Sequence, residues 1–316
     1  MRRSPAQRAR LDAAVFLGPA ALLLLAFFVA PILVNIAVAF SEMSQTVRFG
    51  AFSGAEFGKI FRASDAAWLG FELRGQFAAA LALTATFTLV TLSVFNVGLA
   101  LALALATTAL PDRTGAFFRA VWLLPRMSPS VVYGLLWLWV VDAAPRGLLN
   151  QVAMGLFGLE QPLNLRLDQP MLVIVLANGF IGASLGMIIF TSAIRSIPQH
   201  LFHAARVDGA GPWSVVRHVV LPALRWPIGY ITIYQTLALV VSFEYIFLIM
   251  GPARSTMTMA MLAWTRTLAP GTGAGQYAYG AAIMLLLIGV GVVLGLLLWR
   301  FIDMGRLLQR PRIETR

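Results

Sequence analysis

The chain alternates between long apolar stretches and short polar segments. Six stretches are apolar over about 20 residues or more, and they run at 14–40, 77–110, 117–141, 171–197, 227–250 and 281–302. A helix rises about 1.5 Å per residue, so about 20 residues cross a hydrocarbon core about 30 Å thick. Lipid offers no hydrogen-bond partners, and a helix pairs its backbone groups internally. The pattern predicts an all-α integral membrane protein with six transmembrane helices.

Proline and length modify two of these stretches. The third contains Pro125 and Pro129, and because proline lacks the backbone donor of a helix, we expect this stretch to enter the membrane bent. The second is long enough to tilt or to extend past the bilayer.

Composition supports the membrane assignment and excludes some chemistry. The chain is 59% hydrophobic and 12% charged, whereas soluble domains are about 45–50% apolar and about 25% charged. It has no cysteine, and its three histidines all lie in the segment 197–226. We therefore expect no disulfide, no metal site and no catalytic residues.

Basic residues indicate the orientation. Most of the 24 lysine and arginine residues fall at the two chain ends or in the segments after the second and fourth stretches, and Arg126 is counted with this inner group. Short loops rich in these residues stay in the cytoplasm, so both termini are predicted to be cytoplasmic. The domain limits follow as a tail at 1–13, a membrane domain at 14–302 and a tail at 303–316.

The net charge of +11 does not indicate nucleic-acid binding. The basic residues are spread over several segments, with no separate soluble domain to carry them. Membrane orientation accounts for them, and we expect a multi-pass protein of the bacterial inner membrane with lipid as its surroundings.

The inner segment 197–226 has the pattern of two short helices. Pro198 can start the first helix and Gly209 can end it in a left-handed cap, while Pro212 starts a second helix that ends before Pro222. A helix pair on the cytoplasmic face is suited to docking a partner. An amphipathic hairpin lying on lipid headgroups is the alternative.

This segment resembles the EAA loop in permease subunits of bacterial ATP-binding-cassette importers. That loop reads Glu-Ala-Ala, three residues, Gly, nine residues, Ile-x-Leu-Pro, and the matching residues here are His203, Ala204, Ala205, Gly209, Leu221 and Pro222. The surrounding residues are similar to the sugar-permease, maltose-type branch. The chain is thereby identified as a member whose expected fold is the type I importer transmembrane domain. The family's leading glutamate is His203 here.

The resemblance implies a coupling loop that seats in a cleft of a cytoplasmic ATPase. Ala204 and Ala205 would pack closely, Gly209 would form the turn, and Asp208 would cap or contact the partner, unless it is only a solvated helix end. The chain has a single lysine, Lys59, outside any phosphate-binding Gly-x-x-x-x-Gly-Lys motif. We therefore expect no enzymatic activity and no cofactor in this chain, with ATP and magnesium used by the partner ATPase.

Polar residues inside the apolar stretches are candidates for a substrate path. Asn178 and Gly182 are four residues apart and share a helix face, and Gln235, Leu239 and Ser242 share another. By resemblance, these positions match the sugar pocket of maltose-type permeases. Interhelical hydrogen bonding is the alternative role for the Asn and Ser residues.

Glu244 is the one acid placed within a predicted span. On a continuous helix it would lie on the side opposite Gln235 and Ser242. Three roles stay open for it: contact with a substrate, pairing with a basic residue, or a protonated carboxyl group in a buried interface. Nearby rings that could contact a sugar are those of Tyr133, Trp137, Phe243 and Tyr245.

The sequence thus predicts one permease subunit of an ATP-driven, binding-protein-dependent importer for a sugar, oligosaccharide or polyol. It would form half of the translocation path. The expected partners are a second, similar permease chain, two ATPase subunits and an extracytoplasmic solute-binding protein. The alternative is a secondary transporter driven by an ion gradient, which would need ion-coupling carboxylates near the midplane and an internal repeat. A membrane-embedded enzyme is disfavoured because no pair of catalytic residues lies at depth.

Overall fold

The computed structural model describes residues 5–43, 49–61, 65–68, 71–74, 76–159, 161–268 and 275–302, and most of them are helical. The first helices are α1 (Pro5–Leu24), α2 (Ala30–Ala39), α3 (Ala55–Ile60), α4 (Gln76–Val90), α5 (Ala100–Ala109), α6 (Asp112–Met127), α7 (Ser130–Val140), α8 (Leu148–Phe157) and α9 (Leu165–Asp168). The remaining helices are α10 (Pro170–Arg195), α11 (Gln199–Val207), α12 (Pro212–Val215), α13 (Leu221–Ala223), α14 (Arg225–Val240), α15 (Glu244–Met250), α16 (Met259–Thr267) and α17 (Tyr277–Ile302). π-helical segments at Leu25–Val29, Thr91–Leu99 and Val216–Val220 join α1 to α2, α4 to α5 and α12 to α13.

A short strand pair adds to the helical fold. β1 (Asp65–Trp68) and β2 (Phe71–Arg74) run antiparallel, with Asp65 opposite Arg74 and Trp68 opposite Phe71. The predicted all-α fold class holds, with this strand pair as a local addition. The segment lies between apolar stretches and is too short for a spanning helix, so pairing satisfies its backbone groups.

Four helices in the described part of the chain are long and apolar enough to cross a membrane: Ala14–Ala39, Gln76–Ala109, Pro170–Arg195 and Tyr277–Arg300. They confirm four of the six predicted stretches. α14 and α15 together qualify as a fifth, but they are bent by 51°. Six spans and the cytoplasmic position of both termini therefore stay predictions, and the tail at 303–316 lies outside the described residues.

The third predicted stretch is split into α6 and α7. Ser128 between them is extended, with φ −76° and ψ 144°. The ring of the following Pro129 disfavours helical geometry at the preceding residue, which explains the position of the break. The predicted interruption of this stretch is confirmed, and neither piece alone is long enough to count as a span.

The structure divides into two compact units, the first formed by Met1–Ser64 and Leu262–Leu286. Within it, the Ala278 N–H donates to the Met43 carbonyl oxygen at 3.0 Å, and the Phe40 and Phe57 rings lie 5.0 Å apart. The most apolar window of Ala14–Ala39 has 0% of its residues buried within the chain. Such a helix needs lipid or another chain around it.

The second unit comprises Asp65–Met261 and Leu287–Arg316 and is centred on α10, whose most apolar window is 67% buried. Glycines let α10 approach the π-helical segment Thr91–Leu99 closely. A Cβ on Gly179 would lie 2.3 Å from the Phe95 ring, and one on Gly182 would lie 2.1 Å from Asn96 Oδ1. Small residues serve this purpose in membrane helix packing, where backbones must come near each other.

Candidate substrate cavity and coupling loop

A cavity of about 320 Å³ lies beside the middle of α10, within the second unit. Its lining residues are Arg126, Asn178, Ile181, Gly182, Gln235, Ala238, Leu239, Ser242 and Tyr245. Four of the five residues predicted for the substrate path therefore meet around one space: Asn178, Gly182, Gln235 and Ser242. Their role in transport stays a prediction.

Two hydrogen bonds connect these residues across the helices. Gln235 Nε2 donates to the Gly182 carbonyl oxygen at 3.0 Å, and Asn178 Nδ2 donates to Ser242 Oγ at 3.2 Å. Both amide groups thus make the interhelical contacts proposed as the alternative to substrate binding. Each amide also carries a carbonyl oxygen, and Ser242 carries a hydroxyl proton, so the wall keeps acceptors and a donor for a ligand.

Glu244 is not among the residues that line this cavity. The helix breaks between α14 and α15, so the continuous-helix geometry used to place Glu244 does not apply. Glu244 is exposed in the first turn of α15 and accepts a hydrogen bond from the Ser130 hydroxyl at the start of α7. It therefore links the breaks of two predicted spans, and its role in the substrate path stays a prediction.

Arg126 was missed as a cavity residue. Its position in the last turn of α6, just before the break at Ser128, places it on the cavity wall rather than in an inner loop. The available signal was a cation within a predicted apolar span, since charges at membrane depth are costly and usually functional. Counting Arg126 with the loop residues obscured that signal.

The aromatic residues divide between cavity and core. Tyr245 lines the cavity, whereas Tyr133 is buried and its hydroxyl donates to the Ala177 carbonyl oxygen at 2.7 Å. The Tyr133 ring lies 5.5 Å from that of Tyr245 and 6.4 Å from that of Trp137. Tyr245 is therefore the ring best placed to contact a solute, and the Tyr133 ring packs against it.

A larger hollow, of about 780 Å³, lies at the α7–α8 end. Its lining is mainly apolar and includes Asp142 and Arg146, whose side chains are 3.8 Å apart. None of the predicted path residues lines it. The smaller cavity has the convergent polar groups expected of a binding site.

The predicted coupling loop forms a helix pair. α11 ends at Val207, and Gly209 has φ +72°. The Gly209 N–H donates to the Arg206 carbonyl at 3.1 Å, and the Ala210 N–H donates to the Ala205 carbonyl at 2.9 Å. This is a Schellman cap, and it confirms the predicted left-handed end at Gly209.

One face of the helix pair packs on the second unit and the other is exposed. Phe202 and Val219 pack against a buried cluster that includes Ile197, Val220 and Leu224. The residues named for ATPase coupling lie mostly on the outer side: His203, Ala204, Asp208, Gly209 and Pro222 are exposed, while Ala205 and Leu221 are partly buried. The loop therefore packs against the bundle on one side and is exposed on the other.

The second helix of this pair differs from its prediction. It was expected to end before Pro222, but Pro222 lies within α13, which leads into α14 with only Leu224 between them. Proline is tolerated there because the first turn of a helix does not use its backbone N–H groups. The exposed apolar residues Val207, at 88%, and Trp213, at 72%, lie on the two sides of the Gly209 turn.

These features define a class. A helical membrane protein with a polar cavity at helix breaks and a helical hairpin on the bundle has the parts of a transport subunit. Residues 96–304 match the family described as the binding-protein-dependent transport system inner membrane component. The chain belongs to this family.

Similar proteins agree with that membership. The chain is 31% identical over 157 residues to the diacetylchitobiose uptake system permease protein NgcF of Streptomyces coelicolor, a match covering 47% of this chain and 43% of the relative. The chain thus spans about half the length of the curated relatives it matches.

Solved structures show the same fold. A crystal structure of a bacterial ABC transporter that imports the acidic polysaccharide alginate is similar to this chain, with a TM-score of 0.76, 21% identity, and coverage of 96% of this chain and 98% of that one. A second structure, of the alginate transporter with its pentasaccharide-bound periplasmic protein, gives a TM-score of 0.77 at 21% identity and 95% coverage of each chain. The fold is that of an importer permease.

Proposed function

We propose that this chain is the permease subunit of an ATP-driven, binding-protein-dependent importer, and that it forms half of the translocation path. The observation that carries the proposal is the family match at residues 96–304. That range contains both the coupling loop and the Asn178–Ser242 cavity. One subunit would thereby connect a solute site to a cytoplasmic docking surface.

The proposed topology has six spans with both termini in the cytoplasm. The bent pair of α14 and α15 counts as the fifth span, and the split pair of α6 and α7 counts as the third. Discontinuous helices are common where transporters bind solutes, because backbone groups freed at a break can line a cavity. The distribution of basic residues supports this orientation.

The proposed energy source is ATP hydrolysis in two partner subunits, where ATP and magnesium would bind. This sequence has no phosphate-binding loop of its own. The Schellman-capped end of α11 would seat in the ATPase, and its packing on Val220 and Leu224 would transmit ATPase closure to α14.

The proposed solute is a sugar, oligosaccharide or polyol. The cavity offers the carbonyl oxygens of Asn178 and Gln235, the Ser242 hydroxyl and the Tyr245 ring, which suit hydroxyl groups and the apolar face of a sugar. The similar proteins include a diacetylchitobiose uptake permease and a transporter that imports the acidic polysaccharide alginate.

The proposed assembly contains a second, similar permease chain, two ATPase subunits and an extracytoplasmic solute-binding protein, all within lipid. The alginate transporter with its periplasmic protein supports the last of these. The unburied helix Ala14–Ala39 fits an assembly in which this chain has further neighbours.

The docking surface gives a direct test. We expect Ala204→Glu to release the ATPase, because Ala204 is exposed on α11 and a large charge there blocks close approach. The measurement is the amount of ATPase that co-purifies with the tagged chain, expressed together with its genomic neighbours. An uncompensated charge buried at an interface typically costs roughly 3–5 kcal/mol, enough to abolish recovery.

Ala55→Glu is the matched control, since Ala55 is also exposed and lies in the short helix α3. It should leave recovery of the ATPase unchanged. Equal recovery of the ATPase with Ala204→Glu and with the unaltered chain would remove the coupling role from this loop.

A further inference from the structure

Arg126 is the charged residue among those that line the cavity. Its companions are neutral amides, a hydroxyl, a tyrosine and apolar groups. We infer that Arg126 makes this cavity selective for anions, and that the solute carries a carboxylate or phosphate group beside its hydroxyl groups. This inference rests on the proposed role of the cavity as part of the translocation path.

Among the described residues, Arg126 takes part in no direct ion pair. In the part of the chain that the structure describes, the ion pairs within 4.0 Å are Lys59–Glu56, Arg146–Asp142 and Arg195–Asp112. Glu244 is the nearby acid, since both Glu244 and Arg126 act electrostatically on Tyr245. Its carboxylate, however, is exposed and holds the Ser130 hydroxyl.

The helix end at which Arg126 lies suits a cationic side chain. Arg126 lies in the last turn of α6, where the helix dipole stabilises a cation. Arginine stays protonated even when it is partly desolvated. Arg126 is exposed on the wall of a cavity that adjoins Asn178 and Gly182, near the middle of the 26-residue helix α10, so its field reaches a solute in that cavity.

The chemistry of the lining specifies a ligand class. Guanidinium presents a planar fork of N–H donors that matches a carboxylate or a phosphate with two parallel hydrogen bonds. The carbonyl oxygens of Asn178 and Gln235 accept hydrogen bonds from sugar hydroxyl groups. A uronate-type sugar and a sugar phosphate both satisfy this arrangement, and a cationic solute does not.

The chain lacks cysteine, so one engineered thiol can report the charge of the cavity. The reporter is Ser242→Cys in the assembled importer. Its reaction rate is measured with an anionic reagent, sulfonatoethyl methanethiosulfonate, and with a cationic one, trimethylammonioethyl methanethiosulfonate. Labelling is read on this chain by mass spectrometry.

Each reagent's rate is divided by its rate with a free thiol in solution. On this normalised scale, we expect the anionic reagent to react faster than the cationic one. Arg126→Gln should lower the anionic-to-cationic rate ratio roughly tenfold, in line with electrostatic focusing in clefts, and Arg126→Lys should keep most of the preference. Ala238→Cys, also on the wall, serves as a second reporter because it leaves the Asn178–Ser242 hydrogen bond intact. Ala55→Cys, outside the cavity, should show no dependence on Arg126.

The inference is overturned if the unaltered cavity prefers the cationic reagent. It is also overturned if Arg126→Gln leaves the rate ratio unchanged at both reporters. Uptake of galacturonate and of glucose 6-phosphate by the same complex then separates the carboxylate and phosphate forms. The labelling ratio reads charge whether or not an ATPase binds. If the proposed function is wrong, no ATPase will co-purify with the chain, but the labelling ratio can still depend on Arg126.

Discussion

Gly182 shows how a single residue serves both packing and the cavity. Its carbonyl oxygen accepts the Gln235 amide on the cavity wall, while its missing side chain leaves room for Asn96 on the other side. Any Cβ at this position enters the space of the Asn96 side chain. The close approach of α10 to Thr91–Leu99 therefore depends on glycine here.

Gly182→Ala should destabilise the chain by roughly 1–3 kcal/mol, the usual cost of overpacking a tight interior. The added Cβ would lie 2.1 Å from Asn96 Oδ1, and the helices must separate to relieve that contact. The measurement is the thermal unfolding midpoint of the purified complex in detergent.

Gly289→Ala is the matched control, because Gly289 is also inside a long apolar helix but has no atom within 4 Å of the position that a Cβ would take. It should unfold at or slightly above the temperature of the unaltered chain, since alanine favours helix. Equal midpoints for the two variants would contradict the close contact at Gly182.

Helix breaks are the feature that sequence patterns located least well. Pro129 identified the break between α6 and α7, because proline restricts the residue before it. The break between α14 and α15 has no proline, and the apolar run 227–250 reads as one helix. The continuous-helix geometry behind the placement of Glu244 therefore does not apply, although Glu244 does lie apart from Gln235 and Ser242, which line one cavity as their spacing predicted.

The turn within the coupling loop, in contrast, was predictable from the sequence. Its turn depends on local chemistry, since Gly209 adopts φ +72° and only glycine does so without strain. The cavity position of Arg126 depends on how distant helices pack. A cation within the predicted span 117–141 marks Arg126 as unusual in the sequence, but its place beside Asn178 and Gln235 is seen only in the structure.

Asn150 secures the segment around α8. Its side-chain amide donates to the Asp142 carbonyl at 2.8 Å and to the Leu163 carbonyl at 3.0 Å, and its oxygen accepts from the Leu163 N–H at 2.7 Å. Asn96 is equally buried, yet neither polar atom of its side chain has a hydrogen-bond partner among the described residues. The two residues therefore contribute differently to stability.

Asn150→Ala should lower the unfolding midpoint of the complex much more than Asn96→Ala. The first change removes hydrogen bonds to part-buried backbone groups, each worth roughly 0.5–1.5 kcal/mol. The second removes an amide that is already unpaired, so a small change in either direction is expected. Calorimetry on both variants measures the two unfolding midpoints. A larger fall in the midpoint for Asn96→Ala would show that Asn96 has hydrogen-bond partners in the assembly.

At the scale of the whole molecule, the cavity and the coupling loop belong to the same unit, and both contact α10 and α14 at different positions along these helices. The cluster that seats the loop includes Phe190 and Ile194 of α10 and Ile231 of α14, and the same two helices carry Asn178 and Gln235. Continuous helices thus connect the packing site of the loop to the cavity. We therefore expect ATP, acting on the loop, to change the side from which the cavity is open.

Labelling of Ser242→Cys in membrane vesicles that contain the assembled importer tests this coupling. A membrane-impermeant thiol reagent is added from either side, with and without ATP, while the ATPase is held unable to hydrolyse it. We expect ATP to lower labelling from the cytoplasmic side and to raise it from the outer side. Labelling that ignores ATP and follows a proton or sodium gradient would contradict the coupling and favour a secondary transporter.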